Sequence, residues 1–485
     1  MPSWARVEAT EGVGPSEAGG IEVRHPAPDP VWVAGLAAGL IGGGPAAGRP
    51  SLTATAADRA VLLGRVGARF LDPADPLRVE ALRLLPATSG LSGPMAEEVL
   101  DGMAADWTAD RLARLVGEEL GHAASGVGLA GGGESESGGR FRRSLPVAPR
   151  LCVQLVAGSV PGVGVTALIR SLLIGAPTLL KPGLGDVVLP VLFGHGLREA
   201  SPALADELAV VYWPGASDQV ERAALEAAEV AVVYGGDATV ADVRTRTPPT
   251  TRLVEYHHRE GVGVVGAEAL GSTPAAAAVA EDVAWAVSIF DQRGCVSPGV
   301  VFVEAPSADP EGAHAEPAPL DDHVTPAAFA GLLAASLRRL EDRLPSGALD
   351  ATERAALQQL RGTAELLGAG GGASTLEHGG ARSWTVVYDP DGHLGGACVG
   401  RTVIVRPFGA PDELLARLAP LASHLQTVGV TGLGERLEPL ASELGRLGAS
   451  RVTPFRTVPF PPPWWHHDGR GPLLDLVRWV DLEGG

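Results

Sequence analysis

The sequence contains few cysteines and no cysteine pair that would indicate a metal or redox centre. Only three cysteines occur in 485 residues, Cys152, Cys295 and Cys398, and none forms a CxxC motif. Zinc ribbons and thioredoxin-type sites are therefore excluded. A sparse, odd-numbered set of cysteines is typical of a reducing compartment, so we expect the protein in the cytoplasm.

Positive charge and uninterrupted apolar segments are scarce as well. The net charge is −19, and an acidic surface disfavours nucleic acid and anionic membranes as partners. The uncharged stretch Leu151–Ile169 is nearly long enough to span a bilayer. Because it contains Gly158, Pro161 and Gly164, we interpret it as a buried strand, a glycine turn and an apolar helix. The N-terminus lacks a basic segment followed by an apolar one, so the sequence predicts no signal peptide.

From residue 149 onward, apolar segments of strand length alternate with helical segments. Val230–Tyr234 is one such strand, and a helix is expected to begin near Asp237. This alternation predicts an α/β fold with βαβ units, and continuous apolar strands predict a parallel sheet covered on both faces. A chain of this length is expected to form two or three domains. Upstream, Ala56–Phe70 and Asp110–Leu120 are predicted helices.

Three segments that follow predicted strands are candidates for cofactor binding. Gly162-Val-Gly164-Val-Thr-Ala167 matches a dinucleotide fingerprint and predicts either a phosphate loop or tight strand–helix packing. The acid expected after the next strand is absent, which favours packing. Lys181-Pro182-Gly183 offers an ammonium group for ribose hydroxyls or a 2′-phosphate. A solvated lysine is the alternative, and the scarcity of lysine favours function. Tyr234-Gly235-Gly236-Asp237 fits a ligand loop and an ordinary helix start equally well.

Cys295 has the surroundings of a nucleophile. It lies in the polar, glycine-containing loop Phe290–Pro298, between a predicted helix and a predicted strand. A thiol in such a loop is accessible and can ionise, and its thiolate attacks thioesters and aldehydes. Cys152 falls within an apolar strand and is predicted to be a core residue, and Cys398 is predicted to be structural.

Two pairs of adjacent histidines do not indicate a metal site. His257-His258 and His466-His467 would point to opposite faces of an extended chain. We therefore expect hydrogen-bonded histidines and no metal ion. The alternative is that one of them orients a cofactor or donates a proton.

Several motifs together resemble the bacterial acyl-CoA reductases typified by the LuxC-type fatty-acid reductase of the luminescence system, a branch of the aldehyde dehydrogenase superfamily. The resemblance covers roughly Leu151–Glu483. It rests on these segments: Ala157-Gly158-Ser159-Val160-Pro161-Gly162, Lys181-Pro182, Tyr234-Gly235-Gly236-Asp237, Asp291-Gln292-Arg293-Gly294-Cys295-Val296-Ser297-Pro298, Leu425-Gln426-Thr427-Val428-Gly429, His466-His467-Asp468-Gly469-Arg470 and Val477-Arg478-Trp479-Val480-Asp481.

The resemblance implies an α/β, aldehyde-dehydrogenase-like fold with a Rossmann-type cofactor domain and an α/β catalytic domain. The expected divisions are an N-terminal helical region at 1–140, an NAD(P)-binding domain at 141–268, a catalytic domain at 269–430, and a C-terminal segment at 431–485 with cofactor-domain and oligomer contacts. It also implies a homo-oligomer that acts on an acyl-CoA or acyl-protein thioester. An acyl-loading partner is a further candidate.

The resemblance also implies roles for individual residues. Cys295 would take the acyl group, and NADPH, or alternatively NADH, would deliver hydride so that an aldehyde leaves. Lys181 and Pro182 would contact the adenosine ribose. The glycines Gly235 and Gly236 would lie near the pyrophosphate, which weakens the phosphate-loop interpretation of the GxGxxA motif. The remaining cofactor-binding residues implied are Val160 and Pro161.

Two departures from the family pattern affect the catalytic residues. Ser159 stands where the family has an Asn whose amide holds the oxyanion, and loss of one such donor typically costs about 10²–10³ in rate. Glu255 is the nearest candidate for the base with which oxidising aldehyde dehydrogenases activate water, but its neighbours do not reproduce the usual context. A weak base for hydrolysis favours a reductase.

Three alternatives remain open at this point. An oxidative aldehyde dehydrogenase would need Glu255 as a working base. A non-catalytic or partner-activated subunit would account for the change at Ser159. An acyltransferase would use Cys295 without a cofactor.

Overall fold

The computed structural model describes residues 13–18, 21–42, 54–121, 142–215, 217–305, 322–380, 383–396 and 400–483. The chain divides into two compact units. Unit 1 combines residues 1–257 with residues 462–485, and unit 2 comprises residues 258–461. Each unit is built around its own sheet.

The central sheet of unit 1 has five parallel strands in the order β6-β5-β4-β7-β8. The chain runs outward from β4 to β6 and then returns to the other side of β4. The order therefore reverses between β4 and β7, and open α/β sheets bind ligands at the carboxyl ends of the strands beside such a point. The strands are β4 Cys152–Leu155, β5 Thr178–Lys181, β6 Leu208–Val210, β7 Val230–Tyr234 and β8 Arg252–Tyr256.

Both faces of this sheet are covered, because its strands are apolar on both sides. Val153 and Leu155 of β4 belong to a buried cluster that includes α1 and α9. Gln154 points to the other face, where its amide donates to the Ser171 hydroxyl of α6 at 2.6 Å. The helices are α1 Pro30–Gly42, α2 Ala56–Arg69, α3 Pro76–Ser89, α4 Gly93–Ala105, α5 Ala109–Leu120, α6 Val163–Leu173, α7 Val188–Ala200, α8 Pro202–Ala205, α9 Asp218–Ala227 and α10 Asp237–Arg246.

Two antiparallel ribbons complete unit 1. The hairpin pairs β1 Val13–Ala18 with β2 Ile21–Pro26. The second ribbon pairs β3 Arg142–Val147 with the C-terminal strand β16 Arg478–Glu483. Unit 1 therefore includes a strand, β16, that follows unit 2 in the sequence.

The sheet of unit 2 has the strand order β11-β12-β13-β10-β9-β14-β15, and only the β11–β12 pair is antiparallel among the described strands. Its core joins Val262, Phe302 and Ile404 of the central strands to Leu414 and Leu440 of two helices. Complete burial of such side chains contributes about 1.5–3 kcal/mol each. The strands are β9 Glu260–Val265, β10 Pro298–Glu304, β11 Thr375–His378, β12 Thr385–Tyr388, β13 Thr402–Phe408, β14 Leu425–Thr431 and β15 Arg451–Pro454. The helices are α11 Thr273–Ser288, α12 Pro326–Arg343, α13 Ala351–Ala369, α14 Pro411–Leu418 and α15 Leu437–Leu447.

The predicted α/β architecture is confirmed. The uncharged stretch Leu151–Ile169 forms β4, a turn and the first part of α6, as interpreted from its glycines. Val230–Tyr234 is a strand, and α10 begins at Asp237. None of the described helices is both long and apolar enough to cross a membrane.

Candidate active site

The loop that carries Cys295 lies in unit 2, between the end of α11 and the start of β10. It begins with three consecutive non-glycine residues in the left-handed region, Phe290 (φ 60°), Asp291 (φ 50°) and Gln292 (φ 64°). Left-handed backbone costs about 1–2 kcal/mol for each such residue. The Ser297 N–H then donates to the Gly294 carbonyl at 3.0 Å, which closes a turn around the cysteine. The loop therefore holds one defined backbone conformation, which local preferences alone would not favour.

The described cysteines differ in accessibility. Cys295 is partly exposed, whereas Cys152 is buried in β4. Burial raises the pKa of the Cys152 thiol to about 11, which keeps it protonated and unreactive near neutral pH. Cys398 lies outside the described residues. The contrast agrees with the prediction that Cys152 is a core residue.

The loop after β4 carries Ser159 and leads into α6. The Ser159 side chain is exposed, and the neighbouring residues Val160 and Pro161 are half-buried and buried. At the following glycines, the N–H groups of Gly162 and Gly164 donate to the two carboxylate oxygens of Asp186, at 2.7 and 2.6 Å. An internal carboxylate therefore takes the place that a phosphate would occupy at this helix N-terminus.

These contacts contradict the interpretation of Gly162-Val-Gly164 as a direct phosphate loop. A Cβ added at Gly164 would lie 2.7 Å from Pro190 Cγ, so this glycine serves close packing. Asp186 is fully buried, and burial raises the pKa of its carboxyl to about 7, against the effect of the two N–H donors. This contact could not be inferred from the spacing of the glycines, because Asp186 lies more than twenty residues beyond them.

Lys181 ends β5, at the carboxyl edge of the sheet of unit 1. It is the only lysine in the sequence. Its ammonium lies 5.8 Å from the centre of the Tyr212 ring, and partial burial lowers its pKa. The residue after it, Pro182, is buried, and a Cβ at Gly183 would lie 2.2 Å from the Gly158 nitrogen. The loops after β4 and β5 are therefore packed directly against each other.

The Gly235-Gly236 pair follows β7, on the other side of the point where strand order reverses. The Gly235 N–H donates to the Tyr256 carbonyl at 3.0 Å and so extends the sheet. Gly236 is exposed, has open space beyond its Cα, and precedes the first turn of α10. The N-terminus of α10 is thus sterically open, in contrast to that of α6, and its first residue is the acidic Asp237.

Glu255 lies in β8 of unit 1 and is held by an arginine. The guanidinium of Arg244 donates to both carboxylate oxygens, each at 2.7 Å. Hydrogen bonds from Arg244 lower the pKa of the Glu255 carboxyl, against a smaller effect of burial. A carboxylate that is already accepting two charged hydrogen bonds is a poor base for activating water.

The histidine pairs occupy different surroundings. His467 is stacked between Tyr256 and Trp465, with ring centres 4.4 and 4.7 Å apart, and Tyr234 continues the stack at 4.6 Å from Tyr256. This four-ring stack ties the C-terminal segment to strands β7 and β8, and the sequence analysis did not predict it. Across the described ranges, no group of three or more His, Cys, Asp or Glu side chains is arranged to hold a metal ion.

Comparisons with known proteins add to this geometry. A family model described as "Acyl-CoA reductase (LuxC)" matches residues 60–479. The long-chain acyl-protein thioester reductase of Aliivibrio fischeri is 24% identical over 335 residues, which cover 68% of this chain and 63% of that protein. The match therefore spans less than two thirds of the length of that relative.

Solved structures show the fold. An oxidoreductase from Marinobacter aquaeolei is similar with a TM-score of 0.74 and 14% identity, over 99% of this chain and 97% of the other. An NAD-dependent aldehyde dehydrogenase from Sinorhizobium meliloti gives a TM-score of 0.72 and 17% identity, over 99% of this chain and 92% of the other. The chain thus has an aldehyde-dehydrogenase-like fold.

Proposed function

Because the chain belongs to the LuxC family of acyl-CoA reductases, we propose that it reduces an acyl thioester to an aldehyde through an acyl group carried by Cys295. The proposal assigns the covalent step to unit 2 and cofactor binding to unit 1. The partly exposed thiol of Cys295, in a loop of fixed conformation, supports the first assignment. The open helix N-terminus after Gly236 supports the second.

The residues of unit 1 fit a nicotinamide dinucleotide. Lys181 would bind the adenosine ribose together with Pro182, and Gly235 and Gly236 would lie along the pyrophosphate. Val160 and Pro161 would line the path between them. The cofactor, when bound, supplies a hydride to the acyl carbon. We propose NADPH, because the ammonium of Lys181 can pair with a 2′-phosphate, and NADH is the alternative.

The residues of the chain account for the remaining steps. The Cys295 thiolate attacks the thioester carbonyl, a carbon–sulfur bond forms, and the carrier thiolate leaves with the electron pair of the broken bond. After reduction, the resulting oxyanion collapses, which releases the aldehyde and restores the thiolate. We assign oxyanion stabilisation to the Ser159 hydroxyl and the Cys295 backbone N–H. A Ser hydroxyl is shorter than an Asn amide, so we expect the backbone donor to contribute the larger share.

The observation that carries the reductase assignment is the bidentate pair between Arg244 and Glu255. An oxidative aldehyde dehydrogenase needs a base that activates water to hydrolyse the acyl-cysteine. Glu255, the nearest candidate in the sequence, is held in its charged form and has a lowered pKa. The acyl group is therefore expected to leave by reduction or by exchange with a thiol, and not as a free acid.

The substrate and partners are proposed from the relatives. The named activity of the Aliivibrio fischeri relative concerns long-chain acyl-protein thioesters. We therefore propose a long-chain acyl group, carried by CoA or by a protein, and an acyl-loading protein as a candidate partner. We further propose a homo-oligomer and a cytoplasmic location, where thiols stay reduced.

Acylation of the full chain tests the proposal. The protein is mixed with NADPH and acyl-CoAs of several lengths, aldehyde and free acid are quantified, and acylated peptides are identified by mass spectrometry. We expect aldehyde, and acylation on the Cys295 peptide. Cys295→Ala should abolish both, and Cys152→Ala should retain both. Free acid formed from an added aldehyde and NADP would support the oxidative alternative, and product formation by Cys295→Ala would contradict the proposal.

The single lysine gives a second test that does not depend on activity. Reductive ¹³C-methylation labels Lys181 and the N-terminal amine, and the two signals separate by their titration. We expect NADPH to shift the Lys181 signal strongly and NADH to shift it less. A Lys181 signal that neither cofactor moves would contradict the assignment of this residue.

A further inference from the structure

The loop that carries Cys295 is clamped by two buried side chains that do not take part in the proposed chemistry. We propose that Gln292 and Arg401 are positioning residues, which fix the place and direction of the Cys295 thiol. This inference rests on the proposed role of Cys295 as nucleophile.

Gln292 closes the loop with its side-chain amide. Nε2 donates to the Pro298 carbonyl at 3.1 Å and to the Thr402 carbonyl, and Oε1 accepts the Thr402 N–H at 2.7 Å. The first of these bonds joins residue 292 to residue 298. Cys295 is the central residue of the seven-residue loop that results. A side chain with both a donor and an acceptor is needed here, because the amide bonds backbone groups of both kinds.

The neighbouring strands explain why an amide is present at this place. The register that pairs Val300 of β10 with Ile404 of β13 brings Pro298 opposite Thr402. The paired residues of β10 and β13 end at Val300 and Ile404, and the Gln292 amide bonds both backbone groups of Thr402. The side chain therefore continues the ladder by one step beyond the last backbone pair. Loss of the amide would loosen the start of β10, three residues beyond the nucleophile.

Arg401 holds the residue before Gln292. Its Nε and one terminal nitrogen donate to the Asp291 Oδ1 at 2.9 and 2.7 Å. Its other terminal nitrogen donates to Glu341 at 3.1 Å and to the Leu344 carbonyl at 2.6 Å. The second Asp291 oxygen accepts the Gly347 N–H at 2.9 Å. Asp291 is therefore tied both to β13 and to the segment that follows α12.

This network counters the intrinsic preference of the loop. Phe290, Asp291 and Gln292 are left-handed, and without opposing contacts they favour the right-handed conformation of the preceding helix α11. Relaxation to that conformation would continue α11 and carry Cys295 away from its present place. A displacement near 1 Å at a reacting group lowers rates by about 10²-fold. Gln292 and Arg401 thus act on the reaction through the backbone of the nucleophile.

Two variants and a matched control test the inference in the full-length chain. Gln292→Ala removes the loop closure, and Arg401→Lys keeps the charge but loses the two bonds that converge on the Asp291 Oδ1. Arg406→Lys is the control, because Arg406 also lies in unit 2 and likewise donates through Nε and one terminal nitrogen to a single oxygen, that of Asp389. These bonds lie toward the opposite end of β13 from Thr402. Single-turnover acylation from acyl-CoA and peptide-resolved alkylation by iodoacetamide are measured across pH for each protein.

We expect Gln292→Ala and Arg401→Lys to acylate Cys295 about 10²-fold more slowly than the control. The loss should fall on kcat, with the KM for NADPH unchanged. Alkylation of Cys295 by the small reagent should rise in both variants as the loop opens. Cys152 should stay protected in both, because its protection reports an intact unit 1. Because both substitutions lie in unit 2, thermal unfolding of each variant is compared with that of the control, and if one variant fails to fold the other decides.

The outcomes separate this inference from the proposed function. If wild type and both variants acylate Cys295 at the rate of the control, the positioning role is wrong and the proposed function stands. If wild type itself is never acylated, the proposed function fails. The alkylation of Cys295 then still decides the inference, since rates in Gln292→Ala and Arg401→Lys equal to those in Arg406→Lys overturn it.

Discussion

Gly261 of β9 provides a steric test of how far the Cys295 loop tolerates displacement. A Cβ at this position would lie 2.4 Å from the Val296 carbonyl oxygen and 2.7 Å from the Ser297 carbonyl oxygen. Ordinary contact begins at 3.4 Å. The loop must therefore retreat by the difference between 3.4 and 2.4 Å, about 1.0 Å, or the strand must give way. We expect Gly261→Ala to slow acylation of Cys295 by about 10²-fold, with a stability cost of about 1–3 kcal/mol.

The assay is single-turnover acylation followed by intact-protein mass, with thermal unfolding measured in parallel. Gly271→Ala is the matched control, because Gly271 lies in the same unit, has a right-handed backbone and has no atom within 4 Å of the added Cβ. Acylation of Gly261→Ala at the rate of Gly271→Ala would contradict the predicted displacement of the loop. A loss of acylation only in proportion to the unfolded fraction would contradict it as well.

Two further predictions concern unit 1. Arg244→Met should free the Glu255 carboxylate to act as a base. The ratio of acid to aldehyde product should then rise roughly ten-fold, which is less than the full rate gain of general-base catalysis. An unchanged product ratio, measured by gas chromatography, would contradict this prediction. Burial raises the pKa of the Asp186 carboxyl from 3.8 to about 7, so the folded protein favours the protonated carboxyl. The resulting contribution to the free energy of unfolding is complete below pH 4 and is lost as the pH rises through 7. Relative to Asp186→Asn, wild type should thus lose about 4 kcal/mol of unfolding free energy between pH 4 and pH 8. The unfolding free energy of both proteins is measured in urea across this pH range, and the same pH dependence in both would rule the prediction out.

The sequence allowed the fold to be predicted because local signals determine it. Continuous apolar strands such as Val230–Tyr234, followed by glycine turns and helix starts, are sufficient to predict βαβ units. The same signals located the Cys295 loop and the strand end at Lys181. Each of these features is encoded within about ten neighbouring residues, so no knowledge of distant contacts was needed.

Contacts between distant segments could not be predicted in this way. The glycines Gly162 and Gly164 have the spacing of a phosphate loop, but Asp186 occupies their N–H groups. Gln292 and Arg401 are 109 residues apart in numbering, yet both act on the same loop. Periodicity indicates which face of an element is buried, but not which remote polar group will meet it.

Unit 1 is assembled from both ends of the chain, and this arrangement fixes an order of completion during synthesis. When residue 461 leaves the ribosome, every residue of unit 2 has been made, including the loop with Cys295. At that moment Ser144 still lacks Asp481, its partner 337 residues later, and the carboxylate of Glu119 still lacks the N–H groups of Leu473 and Leu474. The thiol proposed as the nucleophile is therefore made before the unit proposed to hold the reductant is complete. Under the proposed function, a chain that stalls after residue 461 would carry a thiol able to accept acyl groups and no means of discharging them as aldehyde.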